Sequence, residues 1–252
     1  MLAVTLLLAG CSTAPPPQVP TAMTAPAATP SATPPTGAAT PSGTVTTPSP
    51  TPTVKPTPTL KATPNAPAPD KRTGRQLRTP YVVNGIPVVS KKHRITASYG
   101  PKRPSGPYRL EAAAAAALTR MTAAARADGV RVRVRSGYRN WASQNASYQR
   151  AKRNYPQNLS FYAPAGASEH QTGLAVDLWD GVTWSLPMAR TATGKWLFTH
   201  AHEYGFVLRY PDGKAKITGY HYEPWHYRFI GKADAAKFKN NSLTLEEYLG
   251  LA

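Results

Sequence analysis

Ser168-Glu169-His170-Gln171-Thr172-Gly173-Leu174-Ala175-Val176-Asp177 is the stretch on which the reading of this chain turns. Its second half, continued by Leu178, is short and apolar, which predicts a buried β-strand over 174–178. Gly173 lets the chain turn between a loop bearing His170 and the strand bearing Asp177. Downstream, residues 206–210 and 220–230 read as two more strands, separated by the turn Pro211-Asp212-Gly213-Lys214. Upstream, residues 130–135 alternate Val and Arg, which predicts a half-buried strand with a solvated arginine face. A helix is expected over 109–128, with Glu111 at its start, six alanines at 112–117 and Asp128-Gly129 at its end. Further helices are expected over 141–153 and 191–204, the latter ending at Gly205. The Thr244 to Glu247 spacing resembles a capping box for a last short helix. Helices kept apart from short strands predict an α+β fold, a small, mainly antiparallel sheet flanked by helices. No phosphate-binding glycine loop, dinucleotide fingerprint or internal repeat is visible.

Composition divides the chain. Seventeen of the 27 prolines lie between residues 12 and 70, a stretch without a single aromatic residue. Such a segment cannot bury enough apolar surface to offset its ordering entropy. All five Trp and all 13 Tyr lie beyond it, so the folding domain is expected over residues 80–252. The net charge of +18 splits into +5 over residues 1–79 (six Lys/Arg, one Asp) and +13 over 80–252 (24 Lys/Arg, 11 Asp/Glu). A basic surface implies an anionic partner: nucleic acid, an anionic membrane or an anionic wall polymer. The single cysteine excludes an intramolecular disulfide framework. No apolar run reaches membrane-spanning length.

Residues 2–9 form a short apolar run that leads into Leu8-Ala9-Gly10-Cys11. This resembles the lipobox of bacterial lipoproteins, although no Lys or Arg precedes the run. The resemblance implies a signal peptide over 1–10 and lipidation of Cys11. The alternative is a plain secretory signal with an incidental cysteine. Residues 11–79 then read as a lipid-anchored tether, with an upper reach on the order of 200 Å if extended as polyproline II. Lys71-Arg72-Thr73-Gly74-Arg75 reads as part of that linker. An exported, tethered domain disfavours nucleic acid as the partner. The expected location is extracytoplasmic, anchored to the bacterial membrane and reaching into the wall.

Two segments concentrate metal-ligand chemistry: the opening stretch and Tyr222-Glu223-Pro224-Trp225-His226-Tyr227-Arg228. A catalytic zinc takes three protein ligands and keeps one position open for water. His170, Asp177 and His226 supply that number. Glu223, three residues before His226, takes the proton from metal-bound water if it does not itself ligate. His200 and His202 lie two apart on an expected helix and read as structural. His221 reads as surface or outer-shell, and His93 has no carboxylate nearby in sequence.

Ser-x-His-x-x-Gly-x-Ala-x-Asp, followed about fifty residues on by Glu-x-x-His, resembles the LAS zinc metallopeptidases. Within them, Ser136-Gly137-Tyr138-Arg139 with Gln144, and the segment 222–228, resemble the VanY-type D-alanyl-D-alanine carboxypeptidases. Residues 83–101 share the likeness, which spans roughly 81–240. The resemblance implies a LAS/hedgehog-like fold with the zinc (Zn2+) at the sheet. It implies His170, Asp177 and His226 as ligands, Glu223 as general base and Arg139 as the cation facing the developing oxyanion. Ser168, Gln144 and Tyr138 are implied as substrate contacts, with Tyr138 equally readable as core, and Trp225 as packing beneath the site. The implied activity removes the terminal D-Ala of peptidoglycan stem peptides. An L,D-carboxypeptidase or a stem-peptide endopeptidase shares the same zinc site and stays open. A different class also stays open: a non-catalytic wall-binding lipoprotein with a structural zinc. The expected partners are stem peptides, an anionic wall polymer and, through the anchor, the membrane, with the chain monomeric.

Overall fold

The structure is a computed structural model that describes residues 67–252. The expected signal peptide, Cys11 and the tether as far as residue 66 lie outside the described residues. A hairpin of β1 (Tyr81–Val83) and β2 (Ile86–Val88) comes first, then a second of β3 (Pro104–Ser105) and β4 (Leu110–Glu111). Helix α1 (Ala112–Ala127), β5 (Arg133–Ser136), α2 (Trp141–Asn154) and β6 (Ala175–Trp179) follow. Next come α3 (Ala192–His200), β7 (Phe206–Leu208), the short α4 (Ala215–Thr218) and β8 (His226–Phe229). Two short helices, α5 (Lys232–Ala235) and α6 (Leu245–Tyr248), end the chain. Four strands make one antiparallel sheet in the order β5-β6-β8-β7.

The two faces of this sheet differ. Val176 and Leu178 of β6, Tyr227 of β8, and Phe206 and Leu208 of β7 share one core with α1 and α3. α1 reaches that core through Ala114, Ala117, Leu118, Met121 and Ala125, a helical stripe of mostly small residues. The alanines surrender no side-chain entropy and let the helix approach closely. Each large side chain buried there contributes about 1.5–3 kcal/mol. Asp128, just past α1, accepts a bond from Trp196 Nε1 of α3 at 2.7 Å, fastening the two helices. Because side chains alternate along a strand, the opposite face carries Asp177, His226 and Arg228. Val207 on that face belongs to a second core with Val83, Ile86, Val88, Phe238 and Leu245.

Several boundaries differ from the sequence expectation. The strand expected over 220–230 is confined to His226–Phe229. Pro224 has no N–H to give a ladder, and Glu223 instead donates its N–H to the Tyr210 carbonyl at 3.1 Å. β7 and β8 still pair, but through a long connection holding α4 rather than a tight turn. β5 begins at Arg133, and a register shift lies between Val134 and Ser136. The folded unit also starts before residue 80. Residues Gly74–Arg78 form a 3₁₀ turn, and Thr96 donates its N–H to the Leu77 carbonyl at 2.9 Å. Asp70 accepts from Arg72 Nε at 2.8 Å and sits 2.9 Å from His93 Nδ1. So Lys71–Arg75 is not free linker, and His93 does have a carboxylate, 23 residues upstream.

Candidate metal centre

Sheet register brings the cluster together. Asp177 on β6 stands directly opposite His226 on β8. His226 Nδ1 lies 3.2 Å from Asp177 Oδ1. His170 arrives from the 3₁₀ turn Glu169–Thr172, which Gly173 closes at φ +69°. A side chain on Gly173 would meet Pro101 Cγ at 2.7 Å and the Glu111 nitrogen at 3.0 Å, so glycine alone fits this bend. The turn aims His170 Nε2 at Asp177 Oδ2, 3.2 Å away, while its Nδ1 lies 2.7 Å from the Gly137 carbonyl. That carbonyl only accepts, so Nδ1 carries the proton and Nε2 keeps its lone pair for the centre.

The ligand atoms of His170, Asp177 and His226 all lie within 4.8 Å of one another, and all three residues are buried. Asp177 Oδ1 is buried with no hydrogen-bond partner. Two imidazoles and one carboxylate, the latter with an orphaned oxygen, fit a zinc ion. Glu223 stands beside them, its Oε2 3.6 Å from His226 Nδ1. The Arg139 backbone N–H donates to the His170 carbonyl at 3.2 Å, and its buried Nε has no hydrogen-bond partner.

The protonation pattern follows from burial and neighbours. Burial pushes the Glu223 carboxyl up to about 8, against the opposing pull of His226. Burial pulls His226 down, but the Asp177 and Glu169 carboxylates outweigh it and raise it to about 9. Asp177 resists burial because His170 and His226 hold it well below the usual carboxylate range. His170 is lowered by burial. In metal-free protein the folded state therefore holds the His226 proton more tightly than the unfolded chain, from 6.5 unfolded to about 9 folded. That stabilisation is complete below the lower value and lost as pH rises through the upper one. We expect urea midpoints of metal-free protein to fall across this window. Zinc affinity should rise over the same window, because the proton leaves the ligand.

The remaining expected site residues differ in burial and in partners. Ser168 is buried at the head of the 3₁₀ turn. Gln144 on α2 is buried, with Nε2 donating to the Ala163 carbonyl at 2.6 Å and Oε1 unpartnered. Tyr138 is half-buried, with the Arg109 guanidinium 5.5 Å from its ring centre. Trp225 packs with Trp184 at 5.1 Å and Phe161 at 6.3 Å. His200 pairs with Glu203 on the surface, and His221 packs against Phe161 with the rings tilted by 37°, so neither joins the cluster.

Sequence reasoning missed a buried ionic network behind His226. Glu169 is fully buried and accepts from Arg209 Nε at 2.8 Å and Arg228 Nη1 at 2.7 Å. Arg209 also makes a two-point contact with Glu246 at 2.8 and 2.7 Å. The signal was present: two arginines inside segments that otherwise read as buried strands, where an unpaired charge is prohibitively costly.

Comparison with known proteins agrees with this geometry. The VanY family of D-alanyl-D-alanine carboxypeptidases matches residues 107–232. A D-alanyl-D-alanine carboxypeptidase of Enterococcus faecium is 40% identical over 116 residues, covering 46% of this chain and 35% of the relative. One of Enterococcus faecalis is 39% identical over 142 residues, half of each chain. The match thus spans about half or less of the length of these relatives. Among solved structures, the LdcB LD-carboxypeptidase superposes with TM-score 0.58 at 33% identity, covering 67% of this chain and 91% of its own. VanYB in complex with D-alanine-D-alanine gives 0.54 at 35% identity, covering 64% and 95%. A vancomycin-resistance D,D-pentapeptidase in complex with Zn(II) gives 0.53 at 35% identity, covering 64% and 97%. With its fold, its buried His-Asp-His cluster and this match in hand, the chain belongs to the VanY D-alanyl-D-alanine carboxypeptidase family.

Proposed function

We propose that this protein is a zinc-dependent D,D-carboxypeptidase that removes the terminal D-Ala of peptidoglycan stem peptides. The observation that carries this reading is the Glu223 carboxylate, 3.6 Å from a ligand atom of a three-residue metal cluster. A purely structural zinc closes its coordination and needs no neighbouring base. This also weighs against the reading of a non-catalytic wall-binding lipoprotein. Zinc, when bound, supplies a Lewis acid that polarises the scissile carbonyl and acidifies water. Glu223 takes the proton of the attacking water and returns it to the leaving amine of D-Ala. In this reading the Arg139 guanidinium offsets charge developing on the carbonyl oxygen, and the pull of its charge on both His170 and Glu223 supports that role. Ser168, buried two residues before His170, is the first candidate for a substrate contact.

The likeness to an LD-carboxypeptidase supports a second reading, L,D-cleavage of the tetrapeptide stem. Incubating the full-length chain with purified pentapeptide and tetrapeptide stems separates the two. The D,D reading expects loss of D-Ala from the pentapeptide, and cleavage of the tetrapeptide alone overturns it. We further propose that Cys11 anchors the chain in the membrane and that residues up to 66 carry the domain into the wall. The +13 charge of residues 80–252 then meets an anionic wall polymer. Growth in radiolabelled palmitate tests the anchor, with Cys11→Ala expected to lose the label.

A further inference from the structure

Glu169 stands one residue before a ligand and is better insulated from water than any ligand. It is 0% exposed, and so are the side chains of Arg209 and Arg228 that hold it. Both arginines donate to the same oxygen, Oε1. Oε2 is left buried and without a hydrogen-bond partner. The Nε2 of His226 is buried and without a partner too. These two orphaned atoms face each other at 3.6 Å.

A buried ion network of this kind is weak evidence for a role in stability. Replacing buried ion pairs by apolar side chains of similar volume is often neutral or stabilising. The network does have a direction. Glu246 on α6 fixes Arg209, and the Pro87 carbonyl fixes Arg228 Nη2 at 2.6 Å. Arg228 lies two residues beyond His226 on β8, so both point to the same face of the sheet. The arginines thus immobilise a carboxylate whose one free oxygen is aimed at a ligand ring. His226 offers Nδ1 to the centre, which leaves Nε2 to carry its proton.

We propose that Glu169 is a positioning residue for the metal centre. It accepts the Nε2–H of His226, closing the gap to the ~2.8 Å of a charge-assisted bond. In doing so it fixes the tautomer and ring angle that present Nδ1 to zinc, and makes that nitrogen a stronger donor. Glu169 touches neither substrate nor reacting atoms. The inference rests on the zinc reading of the cluster.

The test is zinc affinity of the full-length chain, measured by chelator competition, together with the imidazole ¹H–¹⁵N spectrum of His226. Glu169→Gln should weaken zinc binding by about 10–100-fold. It should also move the Nε2–H proton of His226 upfield and speed its exchange with solvent. Glu246→Gln breaks the outer end of the network and serves as a control: it should lower the thermal midpoint yet leave that proton in place. Should Glu169→Gln fail to fold with a lone buried arginine, Glu169→Gln with Arg228→Met keeps the charge balance and the Arg209–Glu246 pair. Zinc affinity within about twofold of wild type, with an unmoved Nε2–H signal in a folded variant, overturns the proposal. Failure of the wild-type chain to bind zinc at all overturns the zinc reading instead.

Discussion

Glu223→Gln is expected to retain zinc and the fold while losing D-Ala release by about 10²–10⁴-fold. Gln keeps the size of the side chain and one oxygen, so packing at this buried position survives. What it loses is the basic oxygen that, in the proposed reaction, takes the proton of the attacking water. The ligand set stays intact, because His170, Asp177 and His226 supply the three donors without it. The fold even has a reason to gain stability. In metal-free protein, burial disfavours the Glu223 carboxylate so strongly that its pKa is pushed up to about 8. A neutral amide carries no such desolvation cost at neutral pH. Zinc stoichiometry by elemental analysis, the thermal midpoint and single-turnover release of D-Ala check the three parts separately. A non-catalytic wall-binding protein would show no hydrolysis in the wild type for this variant to remove.

Asp177→Asn is expected to act through the metal itself. Asp177 is the carboxylate that both histidines face, at 3.2 Å each. The substitution removes the one anionic ligand and places an amide NH₂ or a weaker carbonyl donor against two imidazoles. We expect zinc affinity to fall by more than the ~100-fold upper bound for losing an outer-shell partner, and hydrolysis to vanish with it. Stability of the metal-free form should change in a pH-dependent way. Asp177 helps raise His226 to about 9, so the variant should lose much of the stability decline between pH 6.5 and 9. Chelator competition and urea midpoints across that range check both statements. An unchanged zinc affinity would remove Asp177 from the ligand set.

How far the sequence disclosed this site depends on the range over which each signal acts. The strand under Asp177, the alanine-rich α1 and the Thr244 capping box are local patterns, and the structure contains all three. The clustering of His170, Asp177 and His226 was legible because His and carboxylate recur together in two short segments. Glu169 lies within the 168–177 stretch, but its role has no local signal, since its partners lie 40 and 59 residues away. Only the β6-β8-β7 register brings them together. The N-terminal clamp was hidden for the same reason. Asp70 sits at the end of an Ala/Pro-rich stretch, and its link to His93 is tertiary. The strand over 220–225 was overextended because aromatic residues in Tyr220-His221-Tyr222 favour strands locally, while Pro224 and the Glu223–Tyr210 bond end the pairing there.

In the proposed reaction this fold hydrolyses the D-Ala-D-Ala end of a stem peptide with zinc held by His170, Asp177 and His226. Mass spectrometry of purified pentapeptide incubated with the full-length chain tests it most directly, run as purified, after chelation, and after zinc is restored. Loss of one alanine residue is expected from the untreated sample, none after chelation, and recovery with zinc. Release of alanine that survives complete removal of metal would contradict it.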